Sequence, residues 1–297
     1  MIIPLGDDVE KRDLPLVSIL LVAASALGFF QMLKVGFANP GSHDLRDFIK
    51  LWGLVPTDLA GGRYIGIVTH MFLHGGLSHL LGNLIVFWAF APTLEDTLGS
   101  LTFLAFYFFW GVVAALTQAA MSWGESIPMI GASGAIAGVI GAYCVNYGAL
   151  TNIRTLIWVV YPIKIQVPAC IYVLLWLASQ IFGLVGAEEG VAGVAWAAHI
   201  GGFAAGSLTM LIVGSQTKRR LVEHHGVLRL EDAEENPLPE TASEYAYEQE
   251  GEQSAPACPQ CGDSLDEGHK LGDNLMRCPN PDCARLVFLE EPTVTTD

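Results

Sequence analysis

Charge is what this chain has least of. Asp, Glu, Lys and Arg make up only 15% of its 297 residues, against about 25% in an ordinary soluble domain. A mean hydropathy of +0.44 points the same way, and together they exclude a soluble globular enzyme. Basic residues are the scarcer sign, with 15 Lys and Arg against 30 Asp and Glu. Nine acidic side chains fall between residues 230 and 252, a stretch without Lys or Arg: Glu231, Asp232, Glu234, Glu235, Glu240, Glu244, Glu248, Glu250 and Glu252. The net charge of −15 therefore describes a solvated tail rather than the main domain. Cysteine is also sparse, with six in all. Cys144 and Cys170 sit in apolar runs and read as small core residues. The other four cluster near the C-terminus.

What the chain does have is apolar residues, 52% of the total, and they come in runs. Residues 15 to 33 are apolar apart from Ser18, Ser25 and Gln31, long enough for a hydrocarbon core of about 30 Å. A cleaved leader is disfavoured. Asp7, Asp8 and Glu10 stand beside Lys11 and Arg12, and the apolar run is long for such a signal. Further runs cover 78 to 94, 101 to 121, 132 to 150, 166 to 184 and 192 to 214, so six spans are predicted. Residues 34 to 66, with Pro40, Pro56 and Gly61-Gly62, read as a loop carrying short amphipathic helices. The segment 152 to 165 reads as an interfacial connection.

Orientation follows from Lys and Arg near the span ends. With the N-terminus inside, the inner flanks carry Lys11, Arg12, Arg154, Lys164, Lys218, Arg219 and Arg220, and the outer side carries Lys34, Arg46, Lys50 and Arg63. Seven against four predicts both termini in the cytoplasm. On that count Ser133, His79, Asn83 and His199 all fall in the outer half of their spans.

Polar side chains at that depth are expensive and tend to be functional or internally paired. The stretch Gly131-Ala132-Ser133-Gly134 places a hydroxyl between glycines at the head of an apolar run. Gly134 and Gly138 form a small-xxx-small pair, as do Gly202 and Gly206 after His199. Such pairs let helix backbones approach closely and are common as packing motifs alone. A close crossing of these two spans would bring Ser133 to His199. His79 and Asn83, four apart, share a helix face. Nucleophile, base and oxyanion donors are the groups that acyl transfer requires. Zinc is the competing chemistry, since His74, His79 and His199 could bind it. No carboxylate or Cys lies at this depth to join them, and Asn is a poor ligand.

These motifs resemble the rhomboid intramembrane serine proteases. The resemblance is carried by Gly131-Ala132-Ser133-Gly134, by His74, His79 and Asn83, and by His199, Gly202 and Gly206. Thr69 to His74, and the Glu95 to Gly99 exit of the second span, fit as well. It covers roughly residues 1 to 215. It implies a Ser133–His199 dyad, an oxyanion site made by His79, Asn83 and the Ser133 backbone N–H, and structural support from His74, Gly131, Gly134, Gly138, Gly202, Gly206 and Glu95. Substrates would be transmembrane segments of other proteins, cut near their outer end in the lipid bilayer without a catalytic cofactor. Two positions depart from the family pattern. Ala137 stands where many relatives carry an aromatic stacked on the catalytic histidine, so Trp196 or Tyr143 is expected to orient His199. Ile65-Gly66 stands where many carry Trp-Arg, which leaves the anchoring of the first loop open.

Near the C-terminus, Cys258 and Cys261 are separated from Cys278 and Cys283 by a spacer of sixteen residues. Paired knuckles at this separation read as a structural zinc ribbon, with a redox dithiol as the alternative. A cytosolic protein partner is the default role. Nucleic acid is not expected, because Lys270, Arg277 and Arg285 are few and the linker is acidic.

The expected architecture is an all-α polytopic membrane protein: a six-helix rhomboid-like domain at 1–216, an acidic flexible linker at 217–254 and a zinc-ribbon-like module at 255–292. The plasma (inner) membrane is the expected location. The rival function is a catalytically silent rhomboid-like protein that binds membrane helices. A small-solute transporter lacks the broken helices in two repeated halves that such proteins use.

Overall fold

The computed structural model describes residues 2–38, 43–158, 161–186, 195–214, 219–224 and 227–232, and three short strands further on. The chain falls into two units, Met1–Asn236 and Pro237–Asp297.

Each of the six apolar runs overlaps a helix: α1 (Leu16–Ala38), α5 (Leu77–Leu98), α6 (Ser100–Met121), α7 (Ser133–Tyr147), α8 (Ala169–Val185) and α9 (Trp196–Val213). Four of them, α1, α5, α6 and α9, are long and apolar enough to cross a membrane. The short helices α2 (Asp44–Trp52), α3 (Pro56–Ala60) and α4 (Gly66–Thr69) occupy the first loop, and a 3-10 turn (His70–Phe72) leads into α5. Leu20, Leu27, Phe109, Leu174, Phe182 and Leu211 point outward and are exposed in the isolated chain. Helices apolar on every face belong inside a lipid phase. The interior is filled by aromatic and small residues, with Trp110, Tyr107, Tyr143, Phe90 and Phe103 fully buried.

Glycine sets the crossing of α7 and α9. A Cβ at Gly202 would strike the carbonyl oxygen of Gly134, and one at Gly206 would strike that of Gly138. In lipid no hydrophobic force draws helices together, so this close backbone packing is the attraction available.

The expectation of an all-α domain needs correction. β1 (Ile2–Asp7), β2 (Asn152–Trp158) and β3 (Pro162–Pro168) form a three-stranded antiparallel sheet in the order β1-β2-β3. The register runs from Ile2 opposite Ile157 to Asp7 opposite Ile153, with a bulge between Pro4 and Gly6. Ile163, Ile165 and Val167 alternate with Lys164 and Gln166, the period of a strand, and Pro168 ends it. The fifth apolar run therefore becomes helical only at Ala169. Another hairpin, β4 (Arg219–His224) with β5 (Val227–Asp232), occupies part of the acidic segment. In the second unit, β6 (Lys270–Gly272), β7 (Leu275–Arg277) and β8 (Leu286–Phe288) form an antiparallel sheet.

Two buried carboxylates fasten the bundle at the end away from Ser133. Glu95 accepts from the backbone N–H groups of Val17 (2.8 Å) and Ser18 (2.7 Å) and from the hydroxyls of Ser18 and Ser100 (both 2.7 Å). It joins the end of α5 to the N-termini of α1 and α6, where the helix dipole favours an anion. Asp7, fully buried, accepts from Lys11 Nζ at 2.6 Å, from Tyr143 Oη at 2.9 Å and from the Thr93 hydroxyl, tying β1 to α5 and α7.

Overpacking a tight core costs about 1–3 kcal/mol. Gly206→Val is therefore expected to lower the unfolding midpoint in detergent by roughly 5–10 °C. At Gly82 an added Cβ would meet nothing within 4 Å among the described residues beyond its own helix backbone, so Gly82→Ala should stay within about 2 °C of wild type. Thermal unfolding of the purified chains checks both.

Candidate active site

Ser133 is the first residue of α7, and His199 lies one turn into α9. The glycine-mediated crossing brings Ser133 Oγ to 2.7 Å from His199 Nε2. His199 is buried, with 7% of its surface exposed. At the N-terminus of a helix the first backbone N–H groups have no intrahelical acceptor, and the dipole is positive there. Ser133 thus presents its hydroxyl beside donors suited to a developing anion.

The turn before α7 is shaped by Gly131, at φ +126°, whose N–H donates to the His70 carbonyl at 2.9 Å. A Cβ there would lie 2.9 Å from His79 Nε2 and 3.7 Å from Ser133 Oγ. Only glycine adopts this conformation readily and lets His79 approach. The Nδ1 of His79 accepts from the Gly75 N–H at 3.4 Å, which leaves its hydrogen on Nε2, facing the Ser133 side. Asn83, one turn further along α5, is 9% exposed. Its Nδ2 is buried without a hydrogen-bond partner among the described residues.

A cavity of about 680 Å³ joins these groups. Its polar lining comes from Ser78, His79 and Asn83 on α5, Gln118 on α6, Ser122 and Glu125 after α6, Ser133 on α7, Gln180 on α8 and His199 on α9. Its apolar lining includes Ile136, Ile140 and Trp176. An arrangement of this kind can take up an extended peptide segment and hold a carbonyl between a hydroxyl and several hydrogen-bond donors.

His74 is fully buried and meets His79 edge-on, with ring centroids 5.2 Å apart. Neither of its ring nitrogens has a hydrogen-bond partner among the described residues. The first loop also carries hydrogen bonds from His70, whose Nδ1–H donates to the Gly66 carbonyl at 2.9 Å, and from Arg63, which donates to the carbonyls of Lys50 and Leu51. Burial lowers both imidazoles to about 4, with the neighbouring His79 adding to the effect at His74 and the Gly66 bond opposing it at His70. Both rings are therefore neutral near pH 7.

The orientation of His199 has a source that the sequence reading missed. Its Nδ1 lies 2.6 Å from Oε1 of Gln180, which is 6% exposed. Trp196 meets the imidazole edge-on at 6.1 Å and Trp176 lies tilted at 6.2 Å. Tyr143 is committed elsewhere, to Asp7 and Thr151, so of the two expected aromatics only Trp196 is in contact. The signal for Gln180 was present: an amide inside an apolar helix is costly unless it has a partner. Gln118 was missed in the same way, and its Oε1 accepts from the Ala198 N–H at 3.2 Å. Glu95 stands at the opposite end, as described. Cys258, Cys261, Cys278 and Cys283 lie outside the described residues.

Residues 61–216, more than half of the chain, match the Rhomboid domain. The chain is 30% identical over 138 residues to Rhomboid protease GluP of Bacillus subtilis, covering 46% of this chain and 25% of that protein. It is 35% identical over 75 residues to the human Presenilin-associated rhomboid-like protein, mitochondrial, covering 25% and 20%. It is 32% identical over 84 residues to Presenilin-associated rhomboid-like protein A, mitochondrial, of Danio rerio, covering 28% and 22%. The matched segment thus spans a quarter or less of each of these relatives. With its apolar helices and a domain match over most of its helical bundle, this integral membrane protein belongs to the rhomboid family.

Proposed function

We propose that the chain is an intramembrane serine endopeptidase that cuts transmembrane segments of other proteins near their outer end. The observation that carries this reading is the 2.7 Å approach of Ser133 Oγ to His199 Nε2 at a helix N-terminus, inside a cavity of an apolar bundle. In this reading all six apolar helices cross the bilayer, with the termini on the cytoplasmic side as the charge bias suggests. The 15 residues of α7 rise only about 22 Å, less than the roughly 30 Å hydrocarbon core. Ser133 would then sit below the outer surface, where the polar cavity can hold water.

The chemistry follows from the geometry. His199 Nε2 takes the Ser133 proton as Oγ attacks the scissile carbonyl. The oxyanion is held by the Ser133 backbone N–H, Asn83 Nδ2 and His79 Nε2–H. His199 then gives its proton to the leaving amine as the C–N bond breaks. Water, activated by the same imidazole, hydrolyses the acyl-enzyme. Because the peptide must be extended to react, Gly or Pro in the substrate helix should help by weakening it.

The four C-terminal cysteines would supply the thiolate donor set of a structural zinc site, and the β6–β7 hairpin lies in the spacer between their two pairs in the sequence. The metal would fold the module and take no part in peptide cleavage.

A reporter bearing a Gly- and Ala-containing transmembrane helix should be cleaved by the wild-type chain in detergent. It should remain intact with Ser133→Ala or His199→Ala, and cleavage should survive a chelator. A wild-type chain that only binds the reporter would support the silent, helix-binding reading instead. Asn83→Ala should lower kcat roughly 100-fold with KM little changed, a loss of about 3 kcal/mol at the transition state. Since Asn83 Nδ2 has no partner to lose among the described residues, its unfolding midpoint should not fall, which thermal unfolding beside the kinetics will check.

A further inference from the structure

The hydrogen bonds behind His199 have a readable direction, because they end on a group that can only accept. The Trp176 carbonyl accepts from Ser179 Oγ at 2.6 Å and from Gln180 Nε2 at 3.2 Å. The Ser179 hydroxyl has thereby used its one hydrogen, so at its 2.8 Å contact it accepts from Gln180 Nε2. Both amide hydrogens of Gln180 are then engaged on α8. Its oxygen is left facing His199 Nδ1 at 2.6 Å, and an amide oxygen can only accept. Nδ1 must therefore carry the imidazole hydrogen. A neutral imidazole has one N–H, so Nε2 is bare and accepts from Ser133 Oγ at 2.7 Å.

We infer that Gln180 is a positioning residue of the active site, which holds His199 in the one tautomer able to take the Ser133 proton. The inference rests on the peptidase reading above. Trp176 and Trp196 restrict the imidazole plane by contact, but neither ring chooses between its nitrogens. A Gln180 amide turned by half a rotation would offer Nε2 to Nδ1 and move the histidine hydrogen onto Nε2. That hydrogen would then point at Ser133 and no base would remain. Ser179 and the Trp176 carbonyl prevent this rotation.

The proton balance is complete without a carboxylate. The Ser133 proton moves to Nε2 as the Oγ–C bond forms, and it leaves on the amine as the C–N bond breaks. The other hydrogen stays on Nδ1 throughout, donated to the Gln180 oxygen. The role argued for Ala137's missing aromatic, keeping the imidazole in place, is thus filled from α8 by an amide that also sets the tautomer.

The test uses the full chain in detergent with the transmembrane reporter, measuring kcat and KM across about pH 3 to 9. Thermal unfolding is followed in parallel. Gln180→Leu is expected to lose roughly ten- to a hundredfold in kcat with KM within about twofold. Gln180→Glu restores an acceptor at the same place but adds a charge. A carboxylate beside the imidazole favours its protonated form, so the base is lost at higher pH. The acid limb of kcat/KM should therefore move up by about one unit. The other titratable groups lining the cavity with His199 are His79 from α5 and Glu125 from the segment after α6, while Gln118 of α6 is neutral. They are the same in every variant, so the shift is read against wild type.

A residue that merely ties α8 to α9 would change the unfolding midpoint and leave the limb where it is. An unmoved limb in Gln180→Glu together with a wild-type kcat in Gln180→Leu overturns the inference alone. If Gln180→Leu does not fold, the position of the limb in Gln180→Glu decides. Cleavage by Ser133→Ala at the wild-type rate would remove the peptidase reading, and this inference with it.

Discussion

Backbone contact between α7 and α9 sets the distances on which the site depends. Gly202 lies against the Gly134 carbonyl and Gly206 against that of Gly138, with no room for a side chain at either. Ser133 heads one of these helices and His199 sits in the first turn of the other. Their 2.7 Å approach is therefore a consequence of helix spacing rather than of a flexible loop. The same crossing presents the N-terminus of α7 to the cavity, so the Ser133 hydroxyl and backbone N–H come from one helix start, while His79 and Asn83 line the cavity from α5. In water hydrophobic burial would dominate such packing. In lipid the close approach of small residues has to serve.

The polar groups are sorted along the bundle. At one end Glu95 and Asp7 are buried, and each is surrounded by donors: N–H groups and hydroxyls for the first, Lys11, Tyr143 and Thr93 for the second. Buried charge is tolerated only with such compensation. At the other end the cavity is lined mainly by hydroxyls, imidazoles and amides, which can donate and accept without the desolvation cost of an ion, with Glu125 the carboxylate among its described lining residues. The amides Gln118, Gln180 and Asn83 each come from a different helix. Two of them are already engaged, with Ala198 and His199. Asn83 keeps its donor free among the described residues, which suits the oxyanion role proposed for it.

The helices were legible because continuous apolar runs permit little else. Their ends were less so. The run from 166 joined strand to helix without a change in hydropathy, and Pro168 divides them. The sheet went unread because each strand is short and its partners lie far apart, Ile2 opposite Ile157. Ser133, His199, His79 and Asn83 were visible as polar residues in apolar surroundings, and the structure brings them to one cavity. Gln180 had the same signature, but its partner is decided by how α8 packs beside α9, which no spacing encodes. Tyr143 illustrates the converse. It is ten residues beyond Ser133, about 15 Å further down the helix, so it could not have reached an imidazole at the level of the nucleophile. For the four C-terminal cysteines, spacing alone carries the argument.

The most direct measurement is covalent labelling of the intact chain with a fluorophosphonate, followed by peptide mapping. An activated serine reacts with this probe and an ordinary hydroxyl does not. One adduct per chain is expected, on the peptide containing Ser133, absent in His199→Ala and unaffected by a chelator. No adduct at Ser133 in a wild-type chain that still cleaves the reporter would contradict the Ser133–His199 mechanism.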